Sequence, residues 1–183
     1  MNLAVERYDD FSAVLSVWQK LLEADPNPTF FSTPAWLMTW WQHHREGRDL
    51  LLLVIRKDAA EVGFAPLMIE PISGGKSVLF LGSGLSDYAD ILVDESRVER
   101  RAAVCAVLDY LAAAFPSSLF DLQEIPAESP TVGLLAEWLK ERGVSSAASV
   151  QDVCPVITLP DTAEAYHKQL KKSFLADIRR GER

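Results

Sequence analysis

Two carboxylates and a phenol follow a glycine-rich turn within four residues, in Asp87-Tyr88-Ala89-Asp90 after Gly82-Ser83-Gly84-Leu85-Ser86. Carboxylate and phenol are groups that move protons in general acid–base chemistry, and such a turn carries them to strand ends, where pockets form. Asp87 and Tyr88 are therefore the candidate catalytic pair. The structural alternative is that Asp87 only caps the turn and Tyr88 packs in the core.

Other reactive-looking groupings fail on context. Gly75-Lys76-Ser77 resembles the end of a phosphate-binding loop, but Glu70 stands where the first glycine belongs and a strand, not a helix, follows. Gly82-Ser83-Gly84 opens like a dinucleotide fingerprint, yet Asp87 occupies the third glycine position and the next element reads as extended. His43 and His44 are adjacent, so on a helix they point apart and cannot share a metal; both read as surface residues. No G-x-S-x-G elbow is present to support a serine hydrolase. Cys105 and Cys154 have no metal-ligand spacing and no disulfide framework, and both are expected to be buried thiols. No metal site is expected.

The elements that must position Asp87 and Tyr88 read as an alternating mixture. Leu3–Arg7 is a short strand, and Asp9 or Asp10 caps a helix bearing Val14, Leu15, Trp18, Leu21 and Leu22, ended by Asp25-Pro26-Asn27-Pro28. Ser32 or Thr33, followed by Pro34, opens a second helix to about Arg45, whose Trp36, Trp40 and Trp41 read as a packing face. Asp49–Lys57 and Glu61–Glu70 form a hairpin. Pro66, which lacks a ladder donor, marks an edge, bulge or splay in its second strand. Strands are expected at Ser77–Leu81, Tyr88–Val93, Leu119–Ile125 and Val153–Leu159. Helices are expected from Asp94 or Ser96 to about Phe115 and from Ser129-Pro130 to Gly143.

A last, basic helix is predicted from Tyr166 to Arg183, capped by Asp161 or Thr162, with Leu170, Phe174 and Ile178 on one face. From His167 onward six basic and two acidic residues leave a charge of +4; 12 basic and 24 acidic residues in the remainder leave −12. Such a tail is either a solvated terminal helix or a connector to a second domain. The chain therefore divides as a domain over 1–160 and a connector over 161–183. The chain's net charge of −8 argues against nonspecific nucleic-acid binding by the acidic body; only the tail could do so. No apolar run reaches the roughly 20 residues of a membrane span, and the N-terminus lacks a signal peptide's basic start and apolar core, so a cytoplasmic location is expected.

The element order, together with Phe30–Trp41 (FFSTPAWLMTWW), Gly63–Leu67 (GFAPL), Leu81–Asp90 (LGSGLSDYAD) and Leu170–Arg180 (LKKSFLADIRR), resembles the N-terminal half of a tandem acetyltransferase family. This is the GNAT-superfamily group labelled CelD-like, related to the FemAB peptidyltransferases. The resemblance covers essentially the whole chain. It implies a GNAT-like α/β (α+β) fold, with a largely antiparallel central sheet flanked by helices and a C-terminal basic helix leading to a second GNAT domain. It implies acyl transfer from acyl-CoA (acetyl-CoA) to an amine, on a small molecule or in a cell-envelope or polysaccharide pathway, with this half shaping the acceptor cleft.

A physical argument separates this half from the acyl donor. GNAT domains aim a glycine-rich loop and a helix N-terminus at the coenzyme A pyrophosphate. The corresponding Asp94-Glu95-Ser96-Arg97-Val98-Glu99 has no glycine and three carboxylates, which would repel the donor. This half is therefore expected to bind no acyl-CoA there. The rival reading is a noncatalytic binding module that pairs with another protein or with itself through the Leu170, Phe174, Ile178 face.

Overall fold

The computed structural model describes residues 3–181, without the side chains of 176–179. The chain forms two compact units, Met1–Gln151 and Asp152–Arg183. In the first, the order is β1 (Leu3–Tyr8), α1 (Leu15–Ala24), α2 (Pro34–His44), β2 (Asp49–Lys57), β3 (Ala60–Ile72), β4 (Gly75–Phe80), β5 (Leu92–Val93), α3 (Arg100–Ala114), β6 (Leu119–Asp121) and α4 (Pro130–Arg142). The sheet runs β1-β2-β3-β4-β6, with β5 added on β3. Every pairing is antiparallel except β4 with β6. The mixed α/β fold with a largely antiparallel central sheet flanked by helices, expected from the sequence, is what the structure shows.

The near-continuous apolar run Leu50–Ile55 has a simple cause: β2 is central and covered on both faces. Leu51, Leu53 and Ile55 pack with Val104, Val107, Leu108 and Leu111 of α3 and Trp138 of α4. Leu50, Leu52 and Val54 pack on the other face with Trp18 and Leu21 of α1 and Leu37 and Trp40 of α2. Trp18 is wholly buried and donates its indole N–H to the Ser32 carbonyl at 2.9 Å, locking α1 to the short 3-10 turn Phe30–Ser32 before α2. Thr33 caps α2 by accepting the Trp36 N–H, as its sequence predicts, and the tryptophans of α2 pack against this core.

Several elements are shorter than their patterns predict. The first helix starts at Leu15 because Asp10 spends its carboxylate on the Ser12 N–H and hydroxyl, making a turn of its own. Tyr88–Val93 is strand only at Leu92–Val93; Asp90 accepts from the Ile91 N–H, which takes that donor out of a ladder. Asp94 likewise binds the Ser96 N–H and hydroxyl, so α3 begins at Arg100 rather than at 94 or 96. The strand from Leu119 ends at Asp121, where its partner β4 turns away.

Three corrections concern the second unit. Val153–Leu159 is not a strand: Pro155 interrupts it, and it pairs with nothing among the described residues. Its Cys154 is exposed, contrary to expectation. Nor is the basic stretch one helix. Thr162 caps α5 (Ala163–Gln169), Leu170 is extended with ψ 146°, and α6 (Lys172–Gly181) starts afresh. Lys168, Lys171 and Lys172 would stack like charges at helical spacing across that point. A continuous Leu170, Phe174, Ile178 face is thereby broken; the Ile178 side chain, Glu182 and Arg183 lie outside the described residues. Among the described residues no helix is long and apolar enough to cross a membrane.

Candidate functional site

The only parallel strand pair among the described residues defines a place where the backbone opens. β4 and β6 run together from Ser77/Leu119 to Leu79/Asp121 and then part. In sheets with parallel strands, ligands bind beyond the carboxyl ends of strands that diverge. Here the chain leaves β4 at Phe80, loops out over residues 81–91, and rejoins β3 opposite Gly63 and Phe64 as β5. Pro66 sits at this splay. Its carbonyl accepts from the Leu81 N–H at 2.9 Å, and its missing donor falls where β4 has left and β5 has not begun.

Gly82 makes the exit. Its φ is +95°, and a Cβ there would lie 2.6 Å from the Ser86 hydroxyl and 2.7 Å from Leu37 Cδ2, so both conformation and space exclude a side chain. The Ser86 hydroxyl donates to the Gly82 carbonyl at 3.0 Å and accepts the Trp36 indole N–H at 2.9 Å, tying the loop to α2. From the other side Glu124 reaches across the splay. Its carboxylate accepts from the Ser83 hydroxyl at 2.7 Å and the Gly84 N–H at 2.9 Å, and its carbonyl accepts from the Ala89 N–H at 2.8 Å. Glu124 holds a φ of +62°, a left-handed conformation costly for a side-chain-bearing residue. Nothing in the sequence singles it out, because neither the positive φ nor the three contacts, about 35 to 40 residues away, leave a local pattern.

The loop presents Asp87 and Tyr88 differently. Asp87 is exposed and has no hydrogen bond or ion pair among the described residues. Tyr88 is half-buried, edge-on to Phe31 at 6.0 Å. Phe31 is in turn edge-on to Trp36 at 5.4 Å, and Phe30, 63% exposed, lies 5.5 Å from the Trp36 ring. Tyr88 thus joins an aromatic wall, and Asp87, the residue before it in the chain, carries a carboxylate with no partner among the described residues. Asp90 does not join it. Its carboxylate accepts from the Ser129 and Thr131 hydroxyls at 2.5 and 2.7 Å, pinning the start of α4.

Removal of the latch gives the first expected result. Glu124→Ala forfeits two charge-assisted hydrogen bonds, each worth about 1.5–3 kcal/mol, so amide exchange at Gly84 should accelerate by at least tenfold while β2 amides stay protected. Unchanged exchange at Gly84 would remove Glu124 from this role.

Asp94–Glu99, the connection into α3, is closed by its own charges. Asp94 bonds Ser96 and pairs with Arg97 at 3.1 Å. Arg100 starts the helix and is 8% exposed. It donates to Glu95 at 2.6 Å, to the Ile91 carbonyl at 3.0 Å and to Asp25 at 3.3 Å, with Asp90 at 3.7 Å. Asp25, 5% exposed, also accepts from the Val93 and Asn27 N–H groups. Burial disfavours the Arg100 charge, but the bond to Glu95 and the charges of Asp90, Asp25 and Glu95 outweigh it and raise its pKa. Carboxylates of Asp94, Glu95 and Glu99 therefore precede the helix, the first two paired with Arg97 and Arg100. Elsewhere, the half-buried Cys105 thiol is pushed up by burial, and His44 lies against the Trp40 ring at 4.9 Å. Among the described residues no cluster of His, Cys, Asp or Glu could hold a metal.

No family model and no curated protein matches the chain. Several solved structures are similar to it, acetyltransferases among them. One is glucosamine-6-phosphate N-acetyltransferase from Arabidopsis thaliana, 14% identical, with a TM-score of 0.48, over 84% of this chain and 99% of that one. An acetyltransferase from Trypanosoma brucei is 15% identical with a TM-score of 0.46, over 84% and 100% of the two chains. An aminoglycoside acetyltransferase from an uncultured soil metagenomic sample is 15% identical with a TM-score of 0.47, over 86% and 100%. At these scores the likeness assigns no residue a role.

Proposed function

We propose that this chain is the acceptor-side part of an acyl-CoA-dependent N-acyltransferase of the GNAT type, related to the CelD-like and FemAB groups, and that another domain or subunit holds the acyl donor. The observation that carries this reading is the contrast between two ends of the sheet. Where β4 and β6 part, a latched loop offers an unpaired carboxylate beside aromatic rings. Before α3, Asp94 is paired with Arg97 and Glu95 with Arg100, and the carboxylates there disfavour the pyrophosphate of an acyl donor. The sequence motifs that resemble the family support the same division of labour.

In this reading Asp87 takes the proton of the acceptor amine or pairs with its ammonium form, and Tyr88 with Phe31 shapes the wall against which the acceptor lies. The acceptor is an amine on a small molecule or an envelope or polysaccharide component. Calorimetric titration of the chain with acetyl-CoA should show no saturable binding up to millimolar concentration. Tight, saturable binding with Asp94 and Glu95 lying against the phosphates would overturn the assignment. The same chain should acquire amine acylation only together with a donor-binding domain; if the intact cellular protein shows no acyl transfer to any amine, a noncatalytic binding module becomes the better reading.

A further inference from the structure

A second depression, of about 440 Å³, is built from the ends of β1 and α2 and the start of β2. Arg7 and Asp9 come from β1 and the residues after it, Trp41 and Arg45 from α2 and its C-cap, and Arg48 and Asp49 from the turn into β2. Gly47, at φ +74°, tightens that turn, and the Arg48 N–H donates to the Arg45 carbonyl at 3.0 Å. Arg48 is spoken for. It donates to the His44 carbonyl and to Glu70, both at 2.6 Å, and its Nε is buried without a partner.

The other four charges are not. Arg7, Arg45, Asp9 and Asp49 line one depression, yet none makes a hydrogen bond or ion pair through its side chain among the described residues. A cation at the C-cap of α2 has an explanation in the helix dipole. That accounts for Arg45 but not for Arg7, which lies on a strand, nor for two carboxylates left beside two guanidinium groups. Two unpaired charges of each sign in one cavity are complementary to a ligand that carries both.

We infer that this depression binds a small zwitterion: an oxyanion held by the Arg7 and Arg45 forks, an ammonium facing Asp9 and Asp49, and the stem between them against the Trp41 indole. Guanidinium matches carboxylate, sulfonate or phosphate oxygens in bidentate fashion, and an indole face also attracts ammonium. A bare anion is the poorer fit, since it meets two local carboxylates and a chain of net charge −8. A zwitterion of small net charge escapes that repulsion. The inference stands on these residues alone and does not depend on the acyl-transfer reading.

The test follows the Trp41 indole N–H signal, assigned with Trp41→Phe, in ¹H–¹⁵N spectra of the chain titrated with three kinds of probe. These are inorganic phosphate, methylammonium, and the zwitterions glycine, taurine and phosphoethanolamine. At least one zwitterion should saturate the signal at a concentration tenfold or more below phosphate or methylammonium. The double variant Arg7→Gln/Arg45→Gln and the single variant Asp49→Asn should each weaken it by at least tenfold. All three positions are exposed, so circular dichroism should be unchanged. Phosphate or methylammonium matching the best zwitterion, saturation by no probe, or undiminished binding in the double variant would each overturn the inference.

Discussion

Arg100→Met should lower the unfolding free energy by about 3–5 kcal/mol, read from urea denaturation followed by circular dichroism. The size follows from what is left behind. Asp25, 5% exposed, keeps two backbone donors, Val93 and Asn27, but loses its counter-ion, and a buried carboxylate without one carries most of its desolvation cost. The same substitution cuts the bond to the Ile91 carbonyl and frees Asp90 and Glu95 to repel each other. Asp25→Asn/Arg100→Met should recover much of the loss, because the neutral amide still accepts from the Val93 N–H. A cost below about 1 kcal/mol for Arg100→Met would mean the cluster is solvated and does not hold α3 in place.

That cluster also shows what was legible in the sequence and what was not. β2 and β3 were readable because burial on both faces forces long apolar runs, and α2 and α4 because Thr33-Pro34 and Ser129-Pro130 are local start signals with the Gly143 stop at φ +62°. Sequence pattern failed where side chains replaced ladder or helix bonds. Asp10, Asp90 and Asp94 each shorten an element by bonding nearby backbone or hydroxyl groups, and hydropathy does not register that competition. In the candidate site, Asp87 and Tyr88 were readable as residues on a glycine turn. Their support was not. Phe31, Ser86 with Trp36, and Glu124 come from elements far apart in the chain, and the Asp25–Arg100 pair spans 75 residues. Val153–Leu159 errs the other way: its apolar spacing suits a strand, but a strand requires a neighbour, and periodicity says nothing about whether one is present.

If the proposed function holds, Asp87→Asn reduces acyl transfer by about a hundredfold or more, the lower end of what a positioned proton acceptor contributes. The substitution keeps size and turn propensity, and Asp87 is exposed with no partner among the described residues, so the melting temperature should not move. Activity and stability therefore separate, as they would not for Asp90, whose carboxylate pins Ser129 and Thr131. The form of the loss distinguishes the two tasks open to Asp87. A proton acceptor lost from the transition state lowers kcat, whereas a counter-ion for the ammonium raises KM with kcat retained. If Asp87→Asn leaves both constants unaltered, the loop over the β4–β6 splay does not carry the chemistry.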